Sequence, residues 1–137
     1  MNLPEVIIHP NTPYGDMRFT TAGDWTMRPD GTFEIWLCYT SDWRYQFIVL
    51  AHELTEWAWC IKHNVTAESA DGFDAIWEAE IHMGLHGPEQ EAGFDRRCPY
   101  RGGHVWGARI ERIMCFILGV SWSRYCTYWD NFFKSKA

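Results

Sequence analysis

The chain has 137 residues, 47% hydrophobic and 17% aromatic, with nine Trp and a formal net charge of −6. That length and composition set one domain, residues 1–137, with a core that closes without disulfides, and they exclude a disordered chain. No stretch approaches the roughly 20 apolar residues of a membrane span, and the N-terminus has neither a basic start nor an apolar run, so neither a signal peptide nor membrane association is expected.

In chain order, Val6 to His9 reads as a short strand closed by Pro10, and Asn11 to Gly23 as a loop. Trp25 to Arg28 and Thr32 to Tyr39 flank Pro29-Asp30-Gly31, a strong reversal signal, and read as a hairpin. In its second strand Phe33, Ile35 and Leu37 alternate with Glu34, Trp36 and Cys38, so one face is apolar. Ser41 or Asp42 caps a long helix running to about Asn64. Its apolar stripe is Phe47, Leu50, Ala51, Leu54, Ala58 and Ile61, and the opposite side carries His52, Glu56 and His63 among Ile48, Val49 and Trp59. Being apolar on two sides, this helix is expected to be central, with the sheet on one side and later helices on the other.

A second helix is expected from about Thr66 to Gly84, with Ala70, Phe73, Trp77 and Ile81 as its core stripe. Residues 84–103 read as loop. A third helix spans about Gly103 to Leu118, with Trp106, Ile110, Met114 and Ile117 as its apolar face, Gly107 and Ala108 allowing close approach, and His104 and Glu111 pointing inward. Gly119 ends it. A last aromatic helix, Trp122 to Phe133, closes the core. The expected fold class is α+β: a small N-terminal antiparallel hairpin or sheet packed on a central long helix with about three further helices.

The segment Ala51-His52-Glu53-Leu54-Thr55-Glu56 carries the chemistry. His52 and Glu56, four apart, lie one above the other on a helix, so one metal ion can bridge them. Glu53 sits beside the pair as a candidate general base. The pattern is one residue from His-Glu-x-x-His, in which two histidines hold zinc and the glutamate moves protons. A third ligand must come from elsewhere: Asp74, Glu78, His82, His86 or His104. His63, eleven residues from His52 and about 16 Å along the axis, lies too far. His104 and Glu111 lie about 10 Å apart along their helix, so at most one is a ligand; His104 is preferred because imidazole suits zinc, with Glu78 next. The alternative is an ion-pair network of His52, Glu53 and Glu56 with Arg96, Arg97, Arg101 or Arg112.

The strand, hairpin and His-Glu helix resemble the minimal core of zincin-type metallopeptidases. The wider order of segments is similar to small proteins encoded by bacteriophages and prophages: Ala51 to Glu56, then Phe73-Asp74-Ala75-Ile76-Trp77-Glu78, then Pro99-Tyr100-Arg101-Gly102-Gly103-His104 with Ile110-Glu111-Arg112, then Leu118 to Trp122 with Tyr125. The resemblance covers about residues 33–125 and implies a host-cell cytoplasmic protein. The departure from the zincin pattern is Glu56 in place of the second histidine, which admits manganese or iron besides zinc.

Two functions follow. One is a metal-dependent hydrolase of the peptidase or amidase type: a divalent metal, zinc first, is held by His52, Glu56 and His104 (or Glu78), with Glu53 as base and Tyr100 or an arginine stabilising an oxyanion. Its partner is a peptide or small-molecule substrate. The other is a non-catalytic metal-binding accessory protein that binds a host protein, marked by a fourth protein ligand such as Glu78. Five cysteines without a Cys-x-x-Cys pair read as small buried hydrophobes in a reducing cytosol. Residues 1–95 carry 4 basic and 16 acidic side chains and residues 96–137 carry 8 and 2. The expectation is that the basic C-terminal helices pack against the acidic part. With no basic run and no nucleic-acid motif, a nucleic-acid surface is disfavoured.

Overall fold

The computed structural model describes residues 1–137 and is α+β, a three-stranded sheet and four helices. Strand β1 spans Val6–Thr12, β2 Gly23–Met27 and β3 Phe33–Cys38; the helices are α1 (Trp43–Lys62), α2 (Ala67–His82), α3 (Arg101–Leu118) and α4 (Trp122–Lys136). The hairpin forms where Pro-Asp-Gly demands it. Gly31 adopts φ 89° and donates its N–H to Arg28 O at 2.9 Å, and the Asp30 carboxylate accepts from Thr32 N–H at 2.9 Å.

The sheet departs from the expected antiparallel one. Its order is β1-β3-β2, with β2 antiparallel and β1 parallel to β3. Nor does β1 stop at Pro10. It continues to Thr12 through a register shift at which Asn11 takes φ 55°. Gln46 of α1 holds that kink, accepting from Asn11 N–H at 2.7 Å and donating to its side-chain oxygen at 2.8 Å. An edge strand tolerates a proline because one side of it needs no ladder bond. Phe33, Ile35 and Leu37 are buried as the alternation requires, and Phe33 stacks on Trp57 of α1 at 3.6 Å.

Each helix begins or ends on the residue its sequence marks. Asp42, Thr66 and Ser121 accept from the N–H groups of Arg44, Ser69 and Arg124, and Gly119 closes α3 with φ 68°. Local side-chain chemistry satisfies orphan end groups in each case. All five cysteines are free thiols and four are buried.

The faces of α1 and α3 are the main correction. Helix α1 buries the side that carries His52 and Glu56, as expected, but its other apolar stripe is only partly covered: Leu50 and Ile61 pack against the core, while Phe47 is 54% and Leu54 39% exposed. The buried side carries Gln46, Ile48, Val49, His52, Glu53, Glu56, Trp57 and Cys60. Likewise Trp106 and Ile117 of α3 are exposed, while Gly103, His104, Gly107 and Cys115 face in. With apolar residues on two sides, periodicity cannot say which one is interior. The outcome follows from backbone approach. The two helices run antiparallel, Gly103 beside Glu56 and Trp59, Gly107 beside His52, and Arg44 at the other end reaching Leu118 O. The predicted stripe of α2 fares better: Ala70, Phe73 and Trp77 are buried. The basic C-terminal half does not neutralise the acidic one, since among its eight Lys and Arg only Arg97 reaches carboxylates, those of Glu80 and Asp95.

Two glycines should respond oppositely to alanine. A Cβ at Gly107 would lie 2.7 Å from the His52 ring, whereas one at Gly72 in α2 meets nothing within 4 Å. Urea unfolding should show Gly107→Ala destabilised by about 1–3 kcal/mol through overpacking, and Gly72→Ala stabilised by about 0.5–1 kcal/mol through helix propensity. A neutral Gly107→Ala would mean the α1–α3 seam has slack.

Candidate metal centre

His52 and Glu56 project from the same side of α1, one turn apart, into the seam with α3, and His104 enters that seam from the first turn of α3. Three atoms converge there. Glu56 Oε2 lies 3.1 Å from His52 Nε2 and 3.0 Å from His104 Nδ1, and the two ring nitrogens are 3.1 Å apart. All three residues are buried. Tetrahedral ligands at about 2.1 Å from zinc stand about 3.4 Å apart, so the triangle needs to open by only about 0.3 Å to hold an ion.

The placement of protons decides whether this group could hold an ion. The far nitrogen of each imidazole faces its own carboxylate. His104 Nε2 lies 3.1 Å from Glu91 Oε1, and His52 Nδ1 is in close contact with Glu111 Oε1. The second contact is an ion pair rather than an aligned hydrogen bond, since His52 Nδ1 otherwise has no partner. Tyr125 fixes Glu111 by donating to its other oxygen at 2.7 Å. With a carboxylate on the outer side of each ring, the inner nitrogens are left to present lone pairs to each other and to Glu56. Carboxylate–imidazole pairs of this kind orient metal-binding histidines. The Trp25 indole N–H donates to Glu56 Oε1 at 2.9 Å, leaving Oε2 as the inward oxygen. Three acceptors facing one point repel unless a cation or protons fill the gap. Burial opposes charging either histidine, but Glu56 and the outer carboxylates outweigh it. The His104 imidazole is therefore pushed up to about 9 and His52 well above its ordinary value.

Glu53, one residue on from His52, is also buried, yet it makes no hydrogen bond and faces no Lys or Arg. Burial first, then the Glu56 charge, hold its carboxyl well above the usual range. Gly23 on β2 makes room for it, since a Cβ there would stand 2.8 Å from Glu53 Oε1. Both Glu53 and the three convergent residues line a cavity of about 260 Å³. Tyr100 lines it too, its hydroxyl donating to Asp74, whose carboxyl burial pushes up to about 7.

Glu78, the second choice for the remaining ligand, is elsewhere on the wall. Its oxygens accept from Thr20 N–H at 3.0 Å and Thr20 Oγ1 at 2.6 Å, and it is not among the convergent atoms. His63 stacks on Trp59 at 4.0 Å, His82 bonds the Glu78 carbonyl, and His86 pairs with Glu80. Asp24, Asp71 and Asp74 form a second acidic group, but Arg18 already bridges Asp24 at 2.7 Å and Asp71 at 3.0 Å. None of Arg96, Arg97, Arg101 and Arg112 pairs with His52, Glu53 or Glu56, against the ion-pair alternative. No family model, curated protein or solved structure matches the chain. Sequence reading missed Trp25 and Glu91, which lie far from the helix motif in the chain and carry no spacing signal. Glu111, the alternative to His104 as a ligand from α3, instead contacts the outer nitrogen of His52.

Two outcomes test this centre. His104 holds its proton more tightly folded than unfolded, so its contribution to stability is complete below pH 6.5 and is lost as pH rises through about 9. Asp74 loses its contribution in the same direction, between pH 3.8 and about 7. Urea unfolding in EDTA should therefore show lower stability at pH 9 than at pH 6, and zinc, which replaces the protons, should reduce the difference. Equal stability at both pH values in EDTA would contradict the convergent geometry. Separately, Glu111→Gln should weaken zinc binding by about 10–100-fold in a competition titration, the usual scale for such partners.

Proposed function

We propose that the protein is a metal-dependent hydrolase of the peptidase or amidase type, with His52, Glu56 and His104 as ligands to one divalent ion. The observation that carries the reading is the convergence of two imidazole nitrogens and one carboxylate oxygen at 3.0–3.1 Å, their outer N–H sides directed at Glu91 and Glu111. Two histidines and one glutamate form a donor set of catalytic zinc sites, which keep a position open for water. The open side here is the cavity. A closed structural site would need a fourth protein ligand, and the residue best placed by sequence, Glu78, is held by Thr20.

When bound, the ion acts as a Lewis acid toward a water and an amide carbonyl. The chain's own groups do the rest. Glu53 is the one buried carboxylate of α1 without a hydrogen bond, so it is free to take a proton from the attacking water and return it to the leaving amine. A nearby cation lowers its pKa from the value burial imposes, which makes it a base in the loaded protein. The Tyr100 hydroxyl, which donates to Asp74 here, would serve charge developing on the carbonyl oxygen only by turning away from that carboxyl. The walls limit competing water.

Metal content after purification should fall to background in His52→Ala and stay at the wild-type level in His63→Ala, measured by elemental analysis, which also identifies the ion. Glu53→Gln should keep the metal and the fold while lowering turnover on a cleaved peptide by about 100-fold or more. Unchanged turnover in Glu53→Gln would remove the base and move the reading to a metal-binding protein that acts through a host partner.

A further inference from the structure

Apart from His52 and His104, the ionisable wall of the cavity is acidic. Nine of its lining residues are carboxylates and none is Lys or Arg. Six of the nine have partners within the protein: Glu56, Glu91 and Glu111 with the histidines, Glu78 with Thr20, Asp24 with Arg18 and Asp74 with Tyr100. One divalent ion leaves a large excess of negative charge. Beside the cavity, and sharing five of its residues with it, lies a shallower recess walled by Trp77, Phe94, Glu89, Gln90, Glu91 and Asp95. There Asp95 is taken by Arg97 and Glu91 by His104, but Glu89 has no ion-pair partner. One face of Trp77 is stacked on His86 at 3.7 Å. A second, independent feature belongs to the same wall. Trp77 is 93% buried, lines both spaces, and its indole N–H has no hydrogen-bond partner in the protein.

We propose that this site takes a cationic peptide, with a lysine or arginine side chain of the peptide seated in the recess between Trp77, Phe94 and Glu89 and its backbone running into the cavity. The inference rests on the amide-hydrolase reading for what happens next, but the charge selection is a property of the wall. Aromatic walls with a free carboxylate suit an ammonium or guanidinium group. The unpaired Trp77 N–H suits a neutral carbonyl, because an unpartnered buried donor is costly until a ligand acceptor or water reaches it. An anionic ligand, whether a phosphate ester, a nucleic acid or an acidic peptide, meets nine carboxylates and no Lys or Arg on the wall.

The test uses three pentapeptide amides with acetylated N-termini, identical except for a central Lys, norleucine or Glu, and a fourth with Arg. Binding is followed by tryptophan fluorescence on the full-length protein in EDTA, where metal-dependent cleavage cannot occur, and cleavage is followed separately on the zinc-loaded protein. The Lys and Arg peptides should bind about 10-fold or more tightly than the norleucine peptide, and the Glu peptide more weakly than any. Raising ionic strength should shrink that preference. Glu89→Gln should reduce the preference for Lys over norleucine while leaving norleucine binding unchanged. Equal affinities across the series, tighter binding of the Glu peptide, or no binding of any peptide would overturn the proposal. The two readings fail differently. Charge preference without cleavage in zinc removes the hydrolase and leaves the cation site, whereas cleavage without charge preference removes the cation site and leaves the hydrolase.

Discussion

The seam between α1 and α3 buries more negative charge than protein cations supply, and the rest of the structure is arranged around that fact. Glu53 and Glu56 are both nearly inaccessible, with Glu111 at the seam's edge, and no Lys or Arg reaches them. An unpaired buried carboxylate costs several kcal/mol even after relaxation. What faces them is a pair of imidazoles, held at pKa values well above the ordinary one in the absence of an ion. On the proposed metal-binding reading, a divalent cation would take the place of the imidazole protons, and its affinity would fall as pH falls.

Small residues decide whether the seam exists at all. Gly103 lets the α3 backbone come within reach of the Glu56 carbonyl, and Gly107 leaves space that the His52 ring occupies. Gly93, in the short turn after Glu91, does the same for the His104 ring, since a Cβ there would fall 2.1 Å from it. Each of the two imidazoles therefore has a glycine where a side chain would collide. The rings are locked by packing on one side and by a carboxylate on the other, which is how a site keeps its geometry before a ligand arrives.

The acidic residues outside the seam are handled differently. Arg18 spans Asp24 and Asp71, and Arg28 pairs with the buried Glu34. These pairs lie within residues 1–95, where 4 basic side chains face 16 acidic ones, so basic partners reach only some of the carboxylates. Exposed apolar residues on α1 and α3, among them Phe47, Trp106 and Ile117, are the converse of this arrangement. The polar side of each helix is turned in, where it forms the site, and part of the apolar side is turned out.

Whatever depends on neighbours in the chain was legible in the sequence. The hairpin followed from Pro29-Asp30-Gly31, the helix ends from Asp42, Thr66 and Gly119, and the shared side of His52 and Glu56 from the 3.6-residue turn. His104 was legible as an inward-facing imidazole beside glycine. The parallel placement of β1, the exposure of Phe47 and Leu54 on α1, the pairing of Glu91 and Glu111 with the histidines and the diversion of Glu78 to Thr20 were decided by tertiary structure. The physical reason is range. A helix turn or a cap is set by dihedrals and hydrogen bonds a few residues apart, whereas the choice between two amphipathic faces rests on which backbones approach closely. Contacts between Gly107 and His52, 55 positions apart, made that choice here.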